Sequence, residues 1–75
     1  MITAEEIRAK LLEAFPDACI QVVDTTGTFD HFDAVVVDER FRTMSRVRQH
    51  QAVYEALGDA FRDRIHALAL KTSAP

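Results

Sequence analysis

Cys19-Ile20-Gln21-Val22-Val23, then Asp24-Thr25-Thr26-Gly27-Thr28-Phe29-Asp30, then His31-Phe32-Asp33-Ala34-Val35-Val36-Val37 is the stretch that decides the fold. Two runs rich in β-branched residues flank a connection of turn formers around one glycine. The first run, Cys19 to Val23, is bounded by Asp17 and Asp24. In the second, His31 to Val37, the residues Phe32, Ala34 and Val36 fall on one face of a strand. A parallel crossover needs about a dozen residues or more, so so short a connection predicts an antiparallel hairpin.

Towards the N-terminus, Thr3 and Glu6 have capping-box spacing, in which each side chain meets an orphan N–H near the other. Ile7, Leu11 and Phe15, with Leu12 beside them, form the apolar stripe of a helix that Pro16 ends. Towards the C-terminus, Asp38 to Met44 reads as an irregular link containing Phe41. Ser45 is a good N-cap for a second helix, on which Val47, Tyr54, Leu57 and Phe61 recur at helical spacing. Gly58 predicts fraying or a bend there. Asp63-Arg64 turns the chain, Ile65 to Lys71 is a third strand, and Thr72 to Pro75 a short tail. The order is α–β–β–α–β. It predicts an α+β two-layer sandwich, with a three-stranded sheet and both helices on one face. The third strand can lie beside either of the others.

Seventy-five residues make one domain, 1–75, with no internal repeat and no linker. A hydrophobic fraction of 48% argues against disorder. The single cysteine, Cys19, excludes an internal disulfide. Flanked by Ala18, Ile20 and Val22, it is expected to be inert apolar packing. The first residues lack the basic and apolar regions of a secretory signal, and no apolar run approaches a membrane span, so the expectation is a soluble cytoplasmic protein. The net charge of -3 hides an asymmetry. Residues 1–39 carry nine acidic and two basic side chains, whereas Arg40, Arg42, Arg46 and Arg48 follow before another acid appears. Such a patch suits an acidic partner or phosphate, or is simply a solvated helix entrance.

The run Phe41-Arg42-Thr43-Met44-Ser45-Arg46-Val47-Arg48-Gln49-His50-Gln51-Ala52-Val53-Tyr54 resembles the signature of the BolA-like family. There a Phe-x-Gly turn leads into Ser-x-Val, a basic and histidine cluster, and Val-Tyr. Ile65-His66-Ala67-Leu68 resembles the family's Ile-His-Ala segment, and His31-Phe32 its Ser-His-Phe. The resemblance covers roughly residues 3–75, and Met44-Ser45-Arg46-Val47 leans towards the branch known as YrbA or IbaG. It implies a core related to class II KH domains. It also implies heterodimers with monothiol glutaredoxins that share a [2Fe–2S] cluster, and so a place among iron–sulfur, stress-response and regulatory proteins. Two departures stand out. Thr43 replaces the usual glycine, so a positive-φ turn there would be strained. The family commonly continues past the position of Pro75 into a Pro-x-x-Trp tail; if that tail holds a partner, binding by a chain ending at Pro75 is expected to be weaker or differently arranged.

A [2Fe–2S] cluster takes four ligands, usually thiolates and sometimes histidines. One cysteine with His31, His50 and His66 scattered along the chain cannot build such a cluster, or a structural zinc site, alone. A partner must complete it, and none is expected in the isolated chain. His66 opens the third strand and shares a face with Leu68 and Leu70. It is either a half-buried histidine at the core rim or, as the Ile-His-Ala match implies, a metal ligand. The family's ligand-bearing loop has neither Cys nor His within Thr25–Asp30 here, so His31 is the nearby metal candidate, or only the residue that opens its strand. Arg46, Arg48, His50 and Tyr54 are the partner-binding candidates, since Arg and Tyr are enriched at binding hot spots. Tyr54 equally fits a buried stripe, and His50 a solvent-facing helix position.

Enzymatic activity is not expected: there is no nucleophile elbow, no phosphate-cradling glycine loop, and Cys19 lies mid-strand. The competing expectation is a nucleic-acid-binding transcription regulator that uses the KH-like fold and the arginine-rich face. Against it stand the net charge of -3 and the lack of a Gly-x-x-Gly clamp. DNA and a weak homodimer remain open as partners, and a membrane does not.

Overall fold

A computed structural model describes residues 2–62 and 67–75, excepting the side chains of 60–62. The elements follow as helix α1 (Ala4–Ala14), strands β1 (Cys19–Asp24) and β2 (His31–Val37), a 3-10 turn (Glu39–Thr43), helix α2 (Arg46–Arg62) and strand β3 (Ala67–Ser73). The sheet order is β1-β2-β3. β1 and β2 form the expected antiparallel hairpin, Cys19 opposite Val37 and Asp24 opposite Phe32. β3 settles the open alternative by pairing in parallel with β2, from His31↔Ala67 to Val37↔Ser73. It runs two residues further than predicted, through Ser73. The Asp63-Arg64 turn and the start of the predicted third strand lie outside the described residues.

Thr3 caps α1, its Oγ1 accepting from the Glu6 N–H at 3.1 Å. The reciprocal half of the capping box takes another form, because the Thr3 hydroxyl donates to the Glu6 carboxylate at 3.3 Å. Ile7, Leu11 and Phe15 are buried as their spacing requires, against Ile20, Phe32 and Val36 of the sheet and Val53 and Leu57 of α2. Both helices cover the same face of the sheet; the other face stays open, with Cys19, Gln21, Asp33, Ala67, Ala69 and Lys71 exposed.

The open face overturns one expectation. Cys19 is exposed, not packed. Side chains alternate along a strand, and Ile20 takes the core-facing register, so Cys19 must face the other way. A second correction concerns Val47, which is 67% exposed. The buried stripe of α2 runs through Val53 and Leu57, and at 3.6 residues per turn Val47 lies about 120° around the helix from Val53.

The 39–43 link is ordered. Asp38 caps it, accepting from the Arg40 N–H at 2.8 Å, and Phe41 is fully buried. Thr43 lies within this turn, and Phe29 is the only non-glycine residue described at positive φ, so the missing glycine costs no strain here. Ser45 caps α2 through the Arg48 N–H at 3.3 Å. Gly58 breaks α2, with φ 78° and ψ 165°, backbone that essentially only glycine adopts. Gly58→Ala is therefore expected to destabilise the fold by about 1–3 kcal/mol in urea titration. In an unbroken helix the same change would stabilise by about 1 kcal/mol, so the sign alone decides whether the break exists.

Candidate functional site

The hairpin connection between β1 and β2 is built around Asp24. Its carboxylate accepts from the N–H groups of Thr26 (3.3 Å), Gly27 (2.9 Å) and Phe29 (3.0 Å), which holds Phe29 at φ 63°. Asp30 closes the loop, accepting from the hydroxyls of Thr26 and Thr28 and lying 3.0 Å from His31 Nδ1. The Thr28 hydroxyl first, then His31, hold the Asp30 carboxyl below the usual carboxylate range. His31 is half-buried at the start of β2, its ring oriented by a carboxylate, an arrangement common behind metal-ligating histidines.

His66 lies outside the described residues. Its chain neighbour Ala67 pairs with His31 across the β2–β3 ladder. Cys19 pairs with Val37, at the opposite end of β2 from His31. Six residue steps of strand separate the two ends, about 20 Å, so Cys19 and His31 cannot ligate one metal centre. Among the described residues no three His, Cys, Asp or Glu side chains converge on a metal-sized site.

The arginine run divides into two pairs with different duties. Arg40 is a structural residue: its guanidinium pairs with buried Asp38 at 3.3 Å, donates to the Ala14 carbonyl at the end of α1 (2.8 Å), and lies 4.6 Å from the Phe15 ring centroid. Arg42 is committed to Glu39 (2.6 Å) and the Pro75 carbonyl (2.8 Å). Arg46 and Arg48 are exposed, and their side chains make no ion pair among the described residues. Half-buried His50 lines a cleft with Arg46, Leu70, Lys71 and Thr72. Tyr54 is half-buried and packs against the core, so its place on the apolar stripe holds.

Sequence reasoning passed over two residues at this end of the molecule. Gln49 donates to the Phe41 and Met44 carbonyls (3.0 and 3.1 Å) and accepts from the Thr72 hydroxyl (2.7 Å), tying the link to β3. Lys71 joins the cleft only because β3 lies beside β2, which hydropathy patterning does not reveal.

Comparison with known proteins gives the class of this fold, a small two-layer α+β domain of defined lineage. The sequence profile described as BolA-like protein matches residues 11–75. Acid stress protein IbaG of Escherichia coli is 38% identical over 71 residues, covering 93% of this chain and 81% of IbaG. The DNA-binding transcriptional regulator BolA of the same organism is 33% identical over 79 residues, covering 96% and 75%. The solution structure of yeast Fra2 superposes with a TM-score of 0.79 at 30% identity, covering 95% of this chain and 77% of Fra2. The chain belongs to the BolA-like family. No helix among the described residues is long and apolar enough to cross a membrane.

Proposed function

We propose that this chain is a non-catalytic partner of a monothiol glutaredoxin that shares a [2Fe–2S] cluster with it, in cluster handling or iron and redox regulation. One observation carries the reading. The His31↔Ala67 pairing brings the end of the Ile-His-Ala segment beside the strand that opens with His-Phe, so the two histidine-bearing family motifs meet at one end of the sheet. His31, backed by Asp30, and His66 are the ligands this chain would offer. The remaining thiolates come from glutaredoxin and its glutathione, because Cys19 is at the far end of the sheet.

Mixing the purified chain anaerobically with cluster-loaded monothiol glutaredoxin is expected to change the visible absorption and circular dichroism. The change should be lost in His66→Ala and weakened in His31→Ala. An unaltered spectrum with no complex would sink the proposal.

A second reading has its own support. Arg46 and Arg48 form an exposed pair, and one relative is named a DNA-binding transcriptional regulator. With Arg40 and Arg42 committed within the protein, only half of the arginine run remains for phosphates, so DNA binding would be weak and salt-sensitive. It would fall with Arg46→Glu and survive His66→Ala.

A further inference from the structure

The two edges of the sheet are finished differently. In the parallel ladder, Ala67 N–H donates to the Asp30 carbonyl and the Ser73 carbonyl accepts from Asp38 N–H. The odd-numbered residues of β3 therefore turn their backbone groups towards β2. By alternation, the N–H and C=O groups of Leu68, Leu70 and Thr72 point outward, a strand edge with no partner strand among the described residues. The corresponding edge of β1 is partly closed, since Arg8 Nε donates to the Ile20 carbonyl at 3.1 Å. No described side chain does the same for β3.

The β3 edge also has a charge. A cleft of about 460 Å³ runs beside it, lined by Arg46 and His50 of α2 and by Leu70, Lys71 and Thr72 of β3. Arg46 and His50, four residues apart, share one helix face. Lys71, exposed on the open face, adds a second permanent cation on the other side of the same edge. A second copy paired edge to edge through β3 would bring these cations against their counterparts, which is unfavourable.

We propose that the outer edge of β3 is a docking site for an extended, acidic segment of a partner protein, which adds to the sheet as a fourth strand, its carboxylates on the helix-covered side against Arg46 and His50 and those on the open side near Lys71. Strand addition supplies main-chain affinity, and the flanking charges supply selection. A peptide answers both the outward N–H and the outward C=O groups, whereas a nucleic-acid backbone answers only the donors. The proposal is independent of the cluster reading, because the residues that carry it, Arg46, His50, Leu68, Leu70, Lys71 and Thr72, are not the proposed cluster ligands.

The test uses the whole isotope-labelled chain and a blocked peptide of valine and glutamate, with glutamates on both faces of the strand it would form, matched to β3 in length. Its valine–lysine counterpart and a short single-stranded oligonucleotide serve as alternatives. The acidic peptide is expected to slow hydrogen exchange of the Leu68, Leu70 and Thr72 amides selectively, and the basic peptide to do nothing. Joint Arg46→Glu and Lys71→Glu substitution should weaken binding by about tenfold or more. Thr72→Pro removes one outward donor at a position where an edge strand tolerates proline. It should weaken binding by more than Thr72→Val, which keeps the N–H and loses only the hydroxyl's bond to Gln49. The exchange experiment needs no variant, so a misfolded proline variant leaves the test intact. No binding, binding without protection of those three amides, protection by the oligonucleotide in place of the peptide, or a dimer joined through β3 would each overturn the proposal.

Discussion

Phe41→Ala is expected to remove about 3–5 kcal/mol of stability, the range for deleting a buried aromatic side chain. For a domain of this size that approaches the entire folding free energy. Phe41 is 0% exposed although it comes from a five-residue turn and no long element. Its ring meets Phe15 edge-on, centroids 5.5 Å apart at 62°, and its carbonyl receives both the Met44 N–H and the Gln49 amide. Losing the ring opens a cavity where α1, the turn and the sheet converge, and it loosens the residues that launch α2. Urea titration followed by far-UV circular dichroism should find the alanine variant largely unfolded without denaturant. Phe41→Leu, which keeps most of the volume, should lose about 1.5 kcal/mol or less. A fully folded alanine variant with a loss below about 1 kcal/mol would show that the turn packs from outside the core.

The hairpin was legible because two independent signals agreed there: alternation that buries Phe32, Ala34 and Val36, and a connection too short for any crossover. The same logic located the break at Gly58 and the cap at Ser45. Alternation misled at Cys19 only because residue type was weighed above register; once Ile20 faces inward, its neighbour cannot. Val47 failed for a related reason, since an apolar residue in the first turn of a helix need not point at the sheet. The place of β3 was not legible, because a strand that follows a long helix can join either edge. With it went the cleft between Lys71 and Arg46, which exists only through that choice. The arginine run shows the limit of reading charge along a chain. Four cations looked like one surface until geometry committed Arg40 and Arg42 to the fold and left Arg46 and Arg48 outward. The ligand candidates rest on motif likeness, and the structure adds the meeting of His31 and Ala67 at one end of the sheet.

Asp38→Asn is expected to cost about 1.5–2 kcal/mol near neutral pH, the lower part of the range for charged hydrogen bonds because Arg40 is 53% exposed. Asp38 is buried, which by itself pushes its carboxyl up. The guanidinium and backbone N–H of Arg40 more than offset that and hold it below its ordinary value of 3.8. A carboxyl lowered in the folded state is more readily protonated in the unfolded chain. Its contribution is therefore complete above the unfolded value, about 3.9, and disappears as pH falls through the folded one. Wild type and Asp38→Asn should differ by a constant amount above about pH 5 and converge in more acidic solution. Asparagine keeps one oxygen to accept the Arg40 N–H, and loses the charge together with the second oxygen, which accepts from the Arg40 guanidinium at 3.3 Å. That charge matters beyond its own pair, because Arg40 also holds the Ala14 carbonyl and lies against Phe15. Releasing it at low pH loosens the end of α1 from the 39–43 turn. The variant should accordingly show faster amide exchange at the end of α1 at neutral pH, as wild type does only in acid. A gap between the two proteins that widens towards low pH would mean that the Asp38 carboxyl is raised by its burial and enters the fold protonated.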